Sequence, residues 1–388
     1  MGPFNADLVA GKTDTGVAPG GGAPSGPSRR QFLAGGLGLA GALGLSGLLA
    51  ACGSGAVPSS GGAGQAGAGS GTVELLGWSY FDVPTLNSAG VTAKWTPLAA
   101  AADLYTKTRR PGTFDLAMPA SFQYQTMRDL NLIEPLDESR LPNLANLDPG
   151  LDMSWARGAD GQLYGVPVDL FWSYVIWDKA QTVQPKTFRD LLTPELKGKV
   201  GLMDEPVTLF VLAGLTEGYD GKEITDERLD TIVGMLDQLR PQVGNLHPFG
   251  SGQELLARKE IALTIHALPP ELGNARAAGV DADAAFFGSY ATVDALSIVK
   301  GAKNPDAAYV YMNNFLTPTA QEAVTMVTGT AMSVAGGTSQ APDVRMFGGL
   351  ANILKNSNML GPVPAEGSGG VAGISEMARV WAQFKESL

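Results

Sequence analysis

Cysteine and histidine are almost absent. The 388-residue chain has one cysteine, Cys52, and two histidines, His247 and His266. A single thiol excludes an internal disulfide and any cysteine cluster for a metal. Two histidines far apart in sequence, with no H-x-x-x-H spacing, leave a metalloenzyme little to build with. Basic side chains are in deficit, 27 Lys+Arg against 38 Asp+Glu, for a formal net charge of −11. Such a body repels nucleic acid and anionic lipid and concentrates cations around itself. There is no G-x-S-x-G, so a nucleophile with its base is not on offer and an enzyme is disfavoured; no cofactor is expected. Repeats of solenoid period are missing as well.

What the N-terminus does have is an address. Arg29-Arg30 precedes a weakly apolar Ala/Gly/Leu run from Ala34 to Ala51, and the run ends in Leu49-Ala50-Ala51-Cys52. Paired arginines before such a run read as a twin-arginine export signal, and the small-residue site ending in Cys reads as a lipoprotein cleavage and acylation point. The competing reading, a short transmembrane helix, is penalised by glycines at 35, 36, 38, 41, 44 and 47. Gly36-Leu37-Gly38-Leu39-Ala40-Gly41 satisfies a dinucleotide-binding pattern but lacks the strand before it and the helix start after it, so it is composition only. Residues 1–51 are therefore expected to be signal peptide. Residues 52–72 are expected to be a lipidated Cys52 with a Gly/Ser/Ala linker, about 19 residues reaching roughly 25 Å. The body is expected to be extracytoplasmic and lipid-anchored.

Past the linker, short apolar runs alternate with helical periodicity. Val73–Trp78, Val91–Leu98, Asp115–Met118, Lys199–Met203, Ile261–Ile265 and Leu296–Val299 read as strands, and their spacing points to parallel α/β sheets. Ala99–Lys107, a Ser121-capped segment, Thr208–Glu217, Ser251–Lys259, Asn304–Phe315, Thr319–Val327 and Ser375–Leu388 read as helices. The clearest is Asp226–Arg240: Leu229, Ile232, Val233, Leu236 and Leu239 share one face, with acids at its start and Arg240 at its end.

An ordered set of segments carries a resemblance. Trp78-Ser79-Tyr80-Phe81 is followed by Asp115-Leu116-Ala117-Met118-Pro119-Ala120-Ser121, Leu136-Asp137, Leu141-Pro142-Asn143-Leu144 and Tyr164-Gly165-Val166-Pro167. Then come Thr187-Phe188-Arg189-Asp190-Leu191, Glu195-Leu196-Lys197-Gly198-Lys199-Val200, Asp294-Ala295-Leu296-Ser297-Ile298 and Gly301-Ala302-Lys303-Asn304-Pro305-Asp306-Ala307-Ala308. The chain from about Trp78 to Leu316 thereby resembles the solute-binding proteins of ABC importers, of the spermidine/putrescine-binding type. The resemblance implies a two-lobed, type II periplasmic-binding-protein-like α/β fold with two hinge crossovers and a ligand cleft between the lobes. One lobe would be 73–169 plus 294–338, the other 170–293 plus 339–388. It implies a monomer that delivers a small solute to a permease and its ATPase, with no nucleic-acid partner.

The resemblance also implies a ligand set. Trp78 stands at the first aromatic wall, with Ser79 beside it, and Tyr80 stands where relatives often carry Glu. Ser121 keeps a hydroxyl, and Phe122 an aromatic ring without its phenolic oxygen. Glu205 holds an acidic position and Thr208 replaces a second. His266 stands at a Trp position, Asp294 at the ammonium-binding Asp, and Thr330 at a Tyr; Thr292 replaces an aromatic. Asp82, Asp169 and Glu271 are candidate substitutes for the missing acids, and Phe171 fills a Gly position. Carboxylates with aromatic faces suit a polyamine or related amine. The Ser/Thr/His replacements leave a zwitterion or organic anion open, as well as a sensor or surface lipoprotein without transport. Adjacent Asp204 and Glu205 are not separable by register. Trp155, Trp172 and Trp177 read as core.

Overall fold

A computed structural model describes residues 71–78, 90–98, 100–337 and 341–388. Arg29, Arg30, Cys52, the linker up to residue 70, Ser79, Tyr80 and Asp82 lie outside the described residues.

The strands, in chain order, are β1 Gly71–Gly77, β2 Val91–Pro97, β3 Leu116–Ala117, β4 Val166–Trp172, β5 Tyr174–Asp178, β6 Val200–Met203, β7 Val243–His247, β8 Leu263–Ala267, β9 Ala282–Ala285, β10 Tyr290–Ile298 and β11 Asn358–Met359. They form two sheets. One has the order β11-β10-β3-β1-β2 with β4 also paired to β10, and the other β7-β6-β8-β5-β9. This is the two-lobed α/β architecture of type II binding proteins. The expectation of parallel sheets holds for β1–β2, β1–β3, β6–β7 and β6–β8. It fails for β10, which runs antiparallel to β3 and β4, and for β5, which runs antiparallel to β8 and β9. Both sheets are mixed, because strands that pass from one lobe to the other enter the second sheet against its direction.

Those passages are short. β4 runs into β5 through Ser173, and β9 runs into β10 through residues 286–289. The two are stitched together: the Ser173 amide donates to the Tyr290 carbonyl at 2.8 Å, and the Tyr290 amide to Ser173 Oγ at 3.0 Å. A third link follows β11, where the Leu360 amide donates to Ala291 O and the Gly361 amide to Gly221 O. β4 and β10 are buried along their whole lengths, at 7 and 9 residues. Strands covered on both faces read as continuous apolar runs rather than as alternations.

The helix Asp226–Leu239 is capped by Thr225, whose side chain accepts from the Arg228 amide, and it buries Leu229, Ile232, Met235, Leu236 and Leu239. Val233 is only half-buried, and Met235 takes the expected place on the inner face. The C-terminal helix Ile374–Glu386 buries Met377, Val380, Trp381 and Phe384 against the same lobe. Trp155, Trp172 and Trp177 are core residues.

Candidate functional site

Strand C-termini converge where the two sheets face each other. β1 delivers Trp78, β3 leads to Ala120 and Phe122, β6 to Glu205 and Val207, β7 to Phe249 and β8 to Leu268. Together with Ala101, Gln123, Phe171, Tyr290, Thr292 and Asp294 they line a small cavity of ≈ 40 Å³. This is the crevice beyond the carboxyl ends of the strands in which open α/β sheets hold ligands.

Its walls are aromatic. Trp78 stacks on Phe249 with ring centroids 5.4 Å apart and planes 8° from parallel, so one lobe lies ring to ring on the other. Phe171 meets Phe249 edge-on at 6.3 Å. Phe122 packs on Phe210 at 5.5 Å, and Phe210 on Tyr290 at 6.1 Å.

Behind the walls a second layer fixes the hydrogens. Thr208 Oγ1 donates to the Met203 carbonyl at 2.9 Å, which uses its only hydrogen. His266 Nδ1, 3.0 Å from that oxygen, must therefore be the donor of the pair. His266 is neutral, its pKa pushed down to about 3 by burial and then by the charge of His247. Its Nε2 consequently accepts from the Tyr290 hydroxyl at 2.8 Å. Likewise Ser121 Oγ donates to the Leu360 carbonyl at 3.0 Å, so the Thr292 hydroxyl donates to Ser121 at 2.9 Å. Tyr290 and Thr292 have thus spent their protons inward and keep only lone pairs for a further partner. Gln123 accepts from the Ala120 amide and donates one Nε2 hydrogen to the Ala101 carbonyl.

The carboxylates complete the set. Burial, and next the neighbouring Asp204, raises the Glu205 pKa to about 7. Asp204 turns the other way and accepts from Trp381 Nε1 at 3.0 Å and Lys385 Nζ at 2.8 Å. Asp294 and Glu205 both push the Tyr290 phenol further up, behind the larger effect of burial, which sets the two acids around that hydroxyl. The described residues lining the cavity include no Lys, Arg or His.

Of the residues expected from sequence, Trp78, Phe122, Glu205 and Asp294 meet at the cavity. Ser121, Thr208 and His266 stand fully buried one layer behind and act on it through Thr292 and Tyr290. Ser121 also does not cap the helix after β3; Ala120 holds the cap position, with the Gln123 side chain accepting from its amide. Thr330 lines a different cavity, with Asp148, Met332 and Leu350. Glu271 sits at the start of the helix Glu271–Ala277, with Oε1 accepting from the Leu268 amide at 2.9 Å. Phe249 and Tyr290 belong to the walls and were not expected. Phe249 follows a strand too polar to stand out, and Tyr290 opens a strand whose sequence reads as uninterrupted core.

The crevice is thus an aromatic and carboxyl-bearing cleft between the two sheets, in the place where two-lobed α/β proteins hold a solute. Among the described residues no His/Cys/Asp/Glu group is placed to hold a metal. The family described as bacterial extracellular solute-binding protein matches residues 88–344, and the chain belongs to it. It is 26% identical over 271 residues to the spermidine/putrescine-binding periplasmic protein of Escherichia coli K12, spanning 66% of this chain and 76% of that one. It is 25% identical over 324 residues to the spermidine/putrescine-binding periplasmic protein 1 of Haemophilus influenzae, spanning 75% and 84%. A lipoprotein structure from Treponema pallidum superposes with a TM-score of 0.66 at 17% identity, covering 81% of this chain and 98% of that one. The fold alone does not select a cation. A periplasmic binding protein of Actinobacillus pleuropneumoniae with fructose-6-phosphate bound superposes at 0.60 with 14% identity, over 81% and 98%.

Proposed function

We propose that this protein captures a polyamine or a related small aliphatic amine in the interlobe crevice and hands it to an ABC permease driven by its ATPase. One observation carries the reading: Tyr290 and Thr292 have committed their protons inward and face the crevice as acceptors, beside the carboxyl groups of Glu205 and Asp294, with no cationic side chain among the described lining. An ammonium ligand has donors and no acceptors, and Trp78, Phe171 and Phe249 supply faces for its methylenes and for cation–π attraction. The likeness to spermidine/putrescine-binding relatives supports the same reading. A zwitterion or an organic anion would bring a carboxylate or phosphate to a crevice with no cationic side chain among its described lining. Calorimetric titration with spermidine, putrescine, glutamate and a sugar phosphate tests it. Binding of the amines alone is expected, and binding of the anions alone would overturn it.

The twin-arginine leader and Cys52 support export and a lipid anchor at the outer face of the membrane, with a monomeric body held near its permease. Replacing Arg29 and Arg30 with Lys is expected to leave precursor in the cytoplasm, read by fractionation. Cys52→Ala is expected to free the protein from the membrane with solute binding unchanged.

A further inference from the structure

β4 and β10 lie antiparallel, and their register sets Asp169 directly opposite Asp294 and Phe171 opposite Thr292. Side chains alternate faces along a strand, so Asp169 shares a face with Phe171, and Asp294 with Thr292 and Tyr290. Phe171, Thr292, Tyr290 and Asp294 all line the crevice. The two aspartates are therefore neighbours on that face of the sheet, Asp294 at the crevice and Asp169 buried beside it. Opposed residues have Cβ atoms about 4.5–5.5 Å apart, and like charges so placed destabilise a sheet.

Asp169 is fully buried, and neither of its carboxylate oxygens makes a hydrogen bond of good geometry among the described residues; the Thr330 hydroxyl and the Asp294 amide are weak neighbouring donors. A buried carboxylate so poorly supplied with donors is a costly arrangement that a bound donor would relieve. A sheet core gains nothing from it.

We propose that Asp169 and Asp294 together seat one primary ammonium end of the solute, which makes Asp169 a residue that determines specificity. The inference rests on the amine-binding reading above and narrows it. An –NH3+ group has three N–H donors, which two carboxylates and the Thr292 oxygen can take up. A quaternary ammonium has none. It would satisfy the aromatic walls while leaving Asp169 as it is, so the crevice would discriminate against it, as sites built around buried polar groups do.

Burial raises the Asp169 pKa to about 8, against the milder pull of Thr330 and the Asp294 amide towards the charged form. The empty seat therefore holds a proton near neutrality. When the ammonium arrives with its three hydrogens, the Asp169 carboxyl gives its proton to solvent. The other titratable groups around the seat are Tyr290 on β10, Tyr124 on the helix Tyr124–Asp129 and Glu205 after β6, with Arg128 acting on Tyr124. The phenols stay protonated, their pKa values raised by burial. Glu205 adds its own fractional proton, so the count attributed to the seat is the part that disappears in Asp169→Asn.

Isothermal titration of the purified protein with putrescine and with its bis(trimethylammonium) analogue, in two buffers of different ionisation enthalpy, tests the seat. Wild type is expected to bind putrescine with net proton release and the quaternary analogue at least tenfold more weakly. Asp169→Asn is expected to weaken putrescine by about 10- to 100-fold, the scale of a hydrogen bond to a charged group. It is also expected to reduce the proton count and leave the analogue unchanged. Equal wild-type affinity for the two cations, or putrescine binding without proton release, overturns the seat without any variant and leaves amine binding standing. Unaltered putrescine affinity in a folded Asp169→Asn does the same. Wild type that binds neither cation overturns both readings.

Discussion

Asp204 and Glu205 are adjacent, both acidic, and opposite in employment. Asp204 ties the strand end to the C-terminal helix through Trp381 and Lys385, while Glu205 lines the crevice. The Asp204–Lys385 pair is more than one-third exposed and is worth about 0–1 kcal/mol at most. The bond from the indole to a charged carboxylate carries more, about 1.5–3 kcal/mol. Asp204→Ala should therefore lower the melting temperature and leave amine affinity within about twofold. Glu205→Gln should do the reverse, holding or raising stability and weakening the amine about tenfold or more. Thermal melts and titrations of both variants check the assignment. The sequence showed that an acid belonged at this turn. It did not show which, because the turn breaks the alternation of strand faces and only the indole of Trp381, 177 positions away, decides the matter. Trp78, Phe122 and Asp294 were legible for a simpler reason: each follows or occupies a strand whose residues stand in family order. Phe249 and Asp169 were harder to place. One follows β7, a strand without an apolar pattern, and the other has meaning only through the register of β4 on β10.

At the level of elements, the inner layer of the site is a hydrogen-bond chain running from β10 through β8 to the start of the helix Thr208–Gly214. Tyr290→Phe would remove its first donor and leave His266 Nε2 buried without a partner. A loss of about 1–3 kcal/mol is expected, read by chemical denaturation, together with weaker amine binding. Restoring the partner is not possible by protonating the imidazole, since His266 stays neutral down to about pH 3. The passages between lobes are packed by a second device. Phe347 meets Trp172 at 5.5 Å, Tyr174 at 4.6 Å and Phe286 at 5.3 Å, which joins β4, β5 and the β9–β10 passage through one ring. Phe347→Ala should cost about 3–5 kcal/mol of stability, measured in the absence of ligand. Helices were readable from their 3.6-residue period, as at Asp226–Leu239. The passages were not: the boundaries expected at 169/170 and 293/294 fall inside β4 and β10, whose fully buried sequences mark no junction between one sheet and the next.

For the whole molecule, four carboxyl groups raised by burial, Asp169, Glu205, Glu271 and Asp343, set how stability responds to pH. Burial raises Asp169 to about 8 and Glu205 and Glu271 to about 7. In the unfolded chain they titrate near 3.8 and 4.5. Between those limits the native state holds more protons than the unfolded state, so stability falls as pH rises through the window from about 4 to 8. His266 opposes this only at lower pH: its pKa drops from 6.5 to about 3, so the stability it withholds in acid is recovered by about pH 6.5. Above that point the carboxyls act alone, and the melting temperature of the ligand-free protein should decline from pH 6.5 to pH 8. An amine in the crevice reverses the contribution of Asp169 and Glu205, since the cation favours their ionised forms. Saturating putrescine should therefore raise the melting temperature by more at pH 8 than at pH 6.5, as expected of a ligand that binds only the native state and binds it better when the site is ionised. Glu271, whose Oε1 accepts from the Leu268 amide away from the aromatic walls, is expected to keep its slope with ligand present and to lose it in Glu271→Gln. Melting curves at four pH values, with and without putrescine, separate Asp169 and Glu205 from Glu271. A ligand-induced shift that shrinks as pH rises would mean that the cation does not meet Asp169 and Glu205.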